Sequence, residues 1–133
     1  MSSTCQCIIL RKAARRTSAI YDEALAPSGI NVAQFSLLRH VSRLEPVSFT
    51  ALGSVMELDR STVGRNVKLL ERRGLIAIAP GDSDLREATA ALTDGGRVVL
   101  REAEPAWKRA QARIESTLGA DGTAALHRLL EDL

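Results

Sequence analysis

One stretch of this 133-residue chain restricts its fold more than any other: the helical segment from Asp59 to Arg73, closed by Gly74 and followed at once by strand-forming residues. Val63, Val67 and Leu70 recur at helical spacing, Asp59 supplies an N-cap, and Gly74 supplies the C-terminal stop. Just before it, Ser48 caps a shorter helix carrying Phe49, Leu52, Val55 and Met56, which leaves Leu58 and Asp59 for the connection. Two short helices joined by so tight a turn predict a helix-turn-helix. Leu75 to Ala79 then reads as a strand, Pro80 to Asp84 as a turn cluster, and Glu87 to Leu92 as the returning strand. The pair is a β-hairpin with a polar tip, a wing beside the second helix.

The flanking sequence is helical too. Leu10, Ala14, Thr17, Tyr21 and Leu25 form one stripe between Cys7 and Leu25, ended by Pro27 and Gly29. Asn31 and Gln34 have capping-box spacing, and Phe35, Leu38, Val41 and Leu44 give the buried face of the helix they open, which Pro46 stops. Thr93 caps a long helix reaching about Leu118, with Val99, Ala103, Ala106, Ala110, Ile114 and Leu118 on one side and an expected kink at Pro105. Beyond Gly119, Leu126, Leu129, Leu130 and Leu133 mark an amphipathic tail helix. Aromatic residues are only 3% of the chain, so aliphatic side chains and alanine must build the core. The predicted class is mainly α with a small β-hairpin wing: a winged helix-turn-helix plus a helical dimerisation region. One small winged lobe cannot cover the apolar faces of the first, long and last helices together, so a second copy of the chain is the expected partner.

The net charge of +2 does not by itself argue for nucleic acid, but its distribution does. Arg60, Arg65, Lys68, Arg72 and Arg73 face Glu71 alone in the segment 60–73, while the segment from Asp121 to Leu133 is mildly acidic. A basic block beside a near-neutral remainder is what a phosphate-facing surface requires. Ser61 and Thr62 are small hydroxyl residues at a helix start, able to approach phosphates and base edges where the helix N-terminus adds partial positive charge. Arg65 and Lys68 lie a turn apart, away from the apolar stripe; arginine can take guanine bidentately and lysine binds phosphate as a point charge. Asn66 can read adenine or contact the backbone. A solvated basic helix would have the same charge, but not the same order of basic helix, glycine stop, two strands and polar tip.

The run from Leu58 to Val63 and the exit from Leu70 to Ile76 resemble the recognition helix and exit of MarR-family regulators. Asp84-Leu85-Arg86, followed by Leu92-Thr93-Asp94-Gly95-Gly96, is similar to that family's wing signature. The resemblance spans nearly the whole chain. It implies a single domain over 1–133, in which 31–93 form the DNA-binding lobe while 1–30 and 94–133 form the dimerisation region, with signals altering the spacing of two lobes. It further implies that Arg86 enters the minor groove from the wing, with Asp84 orienting it or bracing the wing, and that Arg60, Ser61, Thr62, Arg65, Asn66 and Lys68 face the major groove and its phosphates. An arginine at a hairpin tip independently suits a narrow minor groove. Gly53 departs from the family, whose members commonly carry alanine there; a small residue is retained. The implied function is sequence-specific double-stranded DNA binding by a dimeric repressor at a pseudo-palindromic operator, released by a small ligand or by oxidation.

Cys7 stands where the peroxide-sensing branch of the family carries its reactive cysteine, and Tyr21 matches an aromatic of that branch. Arg11 and Val32 replace further tyrosines, so the match is incomplete. Cys5 and Cys7 are too close for an ordinary structural disulfide. They are inert, or they sense an oxidant beside Arg11 and Lys12, or they share a soft metal or an intersubunit disulfide. Trp107 is either core or dimer contact, or lines a pocket for a small aromatic ligand between the long helix and the first. His40 and His127 lack metal-motif spacing, and neither a metal nor a cofactor is expected. No nucleophile elbow, phosphate-cradling glycine loop or paired carboxylate arrangement points to an enzyme. The apolar run from Cys7 to Leu10 is far too short for a signal peptide or a membrane span, so a cytoplasmic protein is expected. The rival readings are a winged helix used for protein contacts, and a thiol or metal sensor without direct operator specificity.

Overall fold

A computed structural model describes residues 3–81 and 87–133. The chain runs α1 (Gln6–Leu25), a 3-10 turn (Ala26–Ser28), α2 (Val32–Leu44), β1 (Val47–Ser48), α3 (Phe49–Met56), α4 (Arg60–Arg72), β2 (Ile76–Ala79), β3 (Thr89–Leu92) and α5 (Asp94–Asp132). Four of the helices begin on the caps expected of them. Asn31 and Gln34 complete a reciprocal capping box on α2, and Ser48, Asp59 and Thr93 each accept a backbone N–H from the first turn of α3, α4 and α5. Gly74, at φ 76°, ends α4 in the left-handed region, and the Leu75 N–H reaches back to the Leu70 carbonyl at 2.9 Å.

The wing strands pair antiparallel, with Ile76 opposite Leu92 and Ala79 opposite Thr89. A third strand was not expected: Val47 and Ser48 pair with Ala90 and Thr89, which puts β3 in the centre of the sheet. This short strand anchors the wing to the chain segment that opens α3. The core lies between the sheet and the helices. Phe35, Leu38, Val41, Leu52, Val63, Val67, Leu70 and Ile76 are fully buried there, joined by Leu25 from α1 and Ala103 from α5. On α2 the expected stripe needs correction, because Leu44 is 42% exposed while Leu37 is 3% exposed. α2 packs against both α4 and α5, so its buried arc is wider than one stripe and closes before the last turn.

The start of α5 is locked to the lobe. Thr93 caps Gly96 and donates to the Gly74 carbonyl at 2.7 Å, and a Cβ on Gly96 would lie 2.1 Å from the Leu75 carbonyl oxygen. One turn on, Arg97 grips Glu45 at the end of α2 with two hydrogen bonds of 2.9 and 2.5 Å, which hold the Glu45 carboxyl below its ordinary range. The backbone of α5 leaves helical φ/ψ at Gly119 (φ 70°, ψ 173°), where the tail helix was expected to begin, while Pro105 lies inside the helix. Proline's fixed φ is itself helical, whereas a positive φ is open to glycine. The outer helices bury little: Leu25 alone is buried on α1, and Ile8, Ile9, Leu10, Leu126, Leu129, Leu130 and Leu133 are exposed.

Candidate nucleic-acid interface

Position on α4 follows from its buried stripe. With Val63, Val67 and Leu70 turned inward, Arg60, Ser61, Gly64, Arg65 and Lys68 share the opposite flank. Together with Phe49, Ile78 and Ala88 they line a groove of about 650 Å³ between α4 and the root of the wing. Its walls carry three cations and its floor is apolar. That pairing suits a polyanion whose sugars and bases present apolar surface between charges.

The Asp59 carboxylate organises the helix start. It accepts the Thr62 N–H at 2.8 Å, the Ser61 hydroxyl at 2.7 Å and the Thr62 hydroxyl at 3.0 Å. These bonds, the backbone one foremost, hold Asp59 well below its ordinary 3.8, at about 2. Arg65 in turn donates to the Thr62 hydroxyl oxygen at 3.3 Å, which steers the guanidinium along the groove. Two expectations change as a result. The helix N-terminus already holds an anion of its own, and the hydroxyl protons of Ser61 and Thr62 are committed to it. Those residues are therefore placed to shape the approach of a partner more than to donate to it.

Not every expected residue faces the groove. Asn66 lies on the neighbouring flank, with Leu69, lining a small depression shared with Asn31, Ala33, Gln34 and Leu37 of the α2 start. Asp84 and Arg86 lie outside the described residues. Glu87, at the foot of the returning strand, was not singled out from sequence. Its carboxylate accepts the Thr50 hydroxyl and the Arg60 Nε–H, each at 2.7 Å, and those two bonds keep it ionised below the ordinary glutamate range. The pairing spans α3, α4 and the wing across 27 and 37 residues of sequence, so no local pattern reveals it. The one available hint was an acid following directly on the expected groove arginine Arg86.

The expected sensor residues are not gathered within one chain. Cys5 is the N-cap position of α1, Cys7 lies in its first turn, and both thiols are exposed and free. Tyr21 is fourteen residues further along the same helix, about 21 Å at the α-helical rise. Its hydroxyl donates to Gln111 of α5, and burial, with the nearby Glu115 charge, raises its pKa. Trp107 stacks on Phe35 with ring centroids 5.5 Å apart, and Arg39 lies over the indole at 4.4 Å. The neighbouring depression between α2 and α5, about 190 Å³, is lined by Phe35, Arg39, Ser42, Arg43, Leu100 and Glu104, and the one between α1 and α5, about 350 Å³, by Ile20, Glu23, Ala24, Arg109, Ala110 and Arg113; Trp107 is in the wall of neither. Among the described residues, no three histidine, cysteine, aspartate or glutamate side chains come together as a metal site.

Comparison with known proteins agrees with this geometry. A family model described as the MarR family matches residues 28–87. The M. tuberculosis transcriptional regulator MosR, solved in complex with DNA, is 31% identical, with a TM-score of 0.81 over 95% of this chain and 94% of its own. The HTH-type transcriptional repressor Rv2887 of M. tuberculosis is 29% identical over 110 residues, 83% of this chain and 79% of that protein. E. coli MarR, solved with operator DNA, superposes with a TM-score of 0.81 over 93% of this chain and 89% of its own; at 23% identity that likeness speaks to the fold alone.

Proposed function

This chain belongs to the MarR family, and from that premise we propose that it is a sequence-specific, double-stranded DNA-binding transcriptional regulator acting as a dimeric repressor. The observation that carries the reading is the groove walled by Arg60, Arg65 and Lys68 between α4 and the wing root. α4 enters the major groove, Arg60 and Arg65 meet base edges, Lys68 holds phosphate, and Ser61 and Thr62 settle the helix start against the backbone. Asn66 contacts the adjacent strand from the flank, and Arg86, braced by Asp84, reaches the minor groove from the wing tip. The lobe 31–93 reads DNA, while 1–30 and 94–133 pair two copies so that their lobes meet half-sites about one helical turn apart. Repression follows from occlusion of the promoter.

The relatives are regulators rather than enzymes. No helix among the described residues is long and apolar enough to cross a membrane, and we place the chain in the cytoplasm with its DNA. For release we propose two inputs: oxidation of the exposed Cys5 and Cys7, or a small aromatic ligand beside Trp107. Tyr21 serves the first input only indirectly, as the strut between α1 and α5.

Selection of bound duplexes from a random pool tests the reading. A pseudo-palindrome is expected, with affinity that falls steeply as salt rises. Arg65→Ala should weaken binding to that duplex by about 1–3 kcal/mol while weakening a scrambled duplex less. A wild-type protein that retains no duplex at low salt would leave a protein-contact module in its place.

A further inference from the structure

We propose that Glu87 is the specificity-setting residue of the groove: its carboxylate holds Arg60 by Nε, fixing how that arginine meets DNA and blunting its attraction to phosphate in general. The inference rests on the DNA-binding reading above. Glu87 does not itself line the groove walled by Arg60, Arg65 and Lys68, but it grips one of those three cations from behind the wall. Three elements converge on it. Thr50 from α3 and Arg60 from the first turn of α4 both donate to the same carboxylate oxygen, and Glu87 itself sits where the wing returns to the sheet. The Glu87 side chain is 31% exposed and that of Arg60 65%, so the pair lies at the groove surface where a ligand would meet it.

The geometry has two effects on binding. Bonding through Nε occupies the inner donor of the guanidinium and sets the plane of the fork, leaving its terminal nitrogens to meet an acceptor. A long side chain held in advance loses less rotamer freedom when it binds. The charge works in the opposite sense. A carboxylate 2.7 Å from Arg60 offsets its pull on phosphate, which every DNA sequence offers equally. Sequence-independent affinity is lowered while correctly placed contact is favoured, so the ratio between them rises.

The test compares the selected duplex with a scrambled duplex of equal length, using full-length protein. Glu87→Ala is expected to lower the specificity ratio at least about fivefold, the low end of what a well-placed arginine contact contributes. Its scrambled-duplex affinity should rise, and the salt slope for that duplex should steepen by about 0.9, the signature of one further phosphate neutralised. Glu87→Gln keeps an acceptor but removes the charge, so it should reproduce the steeper slope with a smaller loss of ratio, and it stands in should the alanine variant fold poorly. In an Arg60→Ala background neither change should move the ratio further. The proposal is overturned by wild-type ratio and slope in both Glu87 variants, or by equal losses with and without Arg60. Those outcomes leave the DNA-binding reading intact, whereas a wild-type protein that binds neither duplex removes both.

Discussion

The lobe from Asn31 to Leu92 and the outer parts of α1 and α5 solve the burial problem differently. In the lobe, Phe35, Leu38, Val41, Leu52, Val63, Val67, Leu70 and Ile76 find partners within the chain, and every helix start is capped. In the outer helices, Ile8, Ile9, Leu10, Leu126, Leu129, Leu130 and Leu133 remain in contact with water. Fully burying such a side chain contributes roughly 1.5–3 kcal/mol, and these residues, most of them about half exposed, forgo part of it. The lobe is completed within one chain, with Leu25 of α1 and Ala103 of α5 in its core, and the outer helices are left to be completed from outside. A second copy supplies that completion most economically, since closed two-fold pairing buries the same face on both chains.

The strongest way to break this contrast is to charge the outer face. Ile9→Asp combined with Leu130→Asp should give a lone protomer by light scattering while the lobe keeps its helical circular dichroism. Affinity for the selected duplex should then fall about a hundredfold or more, because two linked lobes bind with an effective concentration that single ones lack. Undiminished binding by a protomeric variant would mean that the outer helices do not serve DNA recognition. The junction between the two regions comes next. Gly96→Ala drives a methyl into the Leu75 carbonyl, so chemical unfolding should show a loss of about 1–3 kcal/mol. Stability equal to wild type would show that the junction gives way more easily than its geometry implies.

The smallest effect separates the regions by acid. Asp59 sits at about 2 in the folded lobe against 3.8 ordinarily, so its contribution is complete above 3.8, declines as pH falls, and is gone below about 2. Asp59→Asn keeps the cap acceptor without the charge. Its stability should therefore lack that portion of the acid decline, while the exposed outer helices respond as in wild type. Identical acid profiles for the two proteins would assign the low value to no real stabilisation.

Much of the lobe was legible because its signals are local. Asn31 with Gln34, Asp59, Gly74 and Thr93 each state a helix boundary within four residues. The inward stripe of α4 followed from spacing alone, and it fixed which flank carries Arg65 and Lys68. What escaped depends on partners distant in sequence. Val47 and Ser48 are too few to announce a strand, and only the register with Ala90 and Thr89 makes them one. Leu37 is buried because α4 lies against it, and Glu87 matters because α3 and α4 bring Thr50 and Arg60 to it. Gly53 keeps a small residue where the family commonly carries alanine, yet a Cβ there would lie 2.7 Å from the Leu58 carbonyl oxygen, so the turn between α3 and α4 is tighter than composition suggests.

The seating of Gly96 on Leu75, with Arg97 clasped to Glu45 beside it, leaves the first turns of α5 no room to slip against the lobe. The lobe and the first turns of α5 therefore move together. In a pair of such chains joined through their outer helices, a shift in α5 would reach the DNA-reading ends through that joint. A signal acting near Cys7, or near the Gly119 bend, need not touch the DNA-facing surface to throw the two heads out of step with the helical repeat.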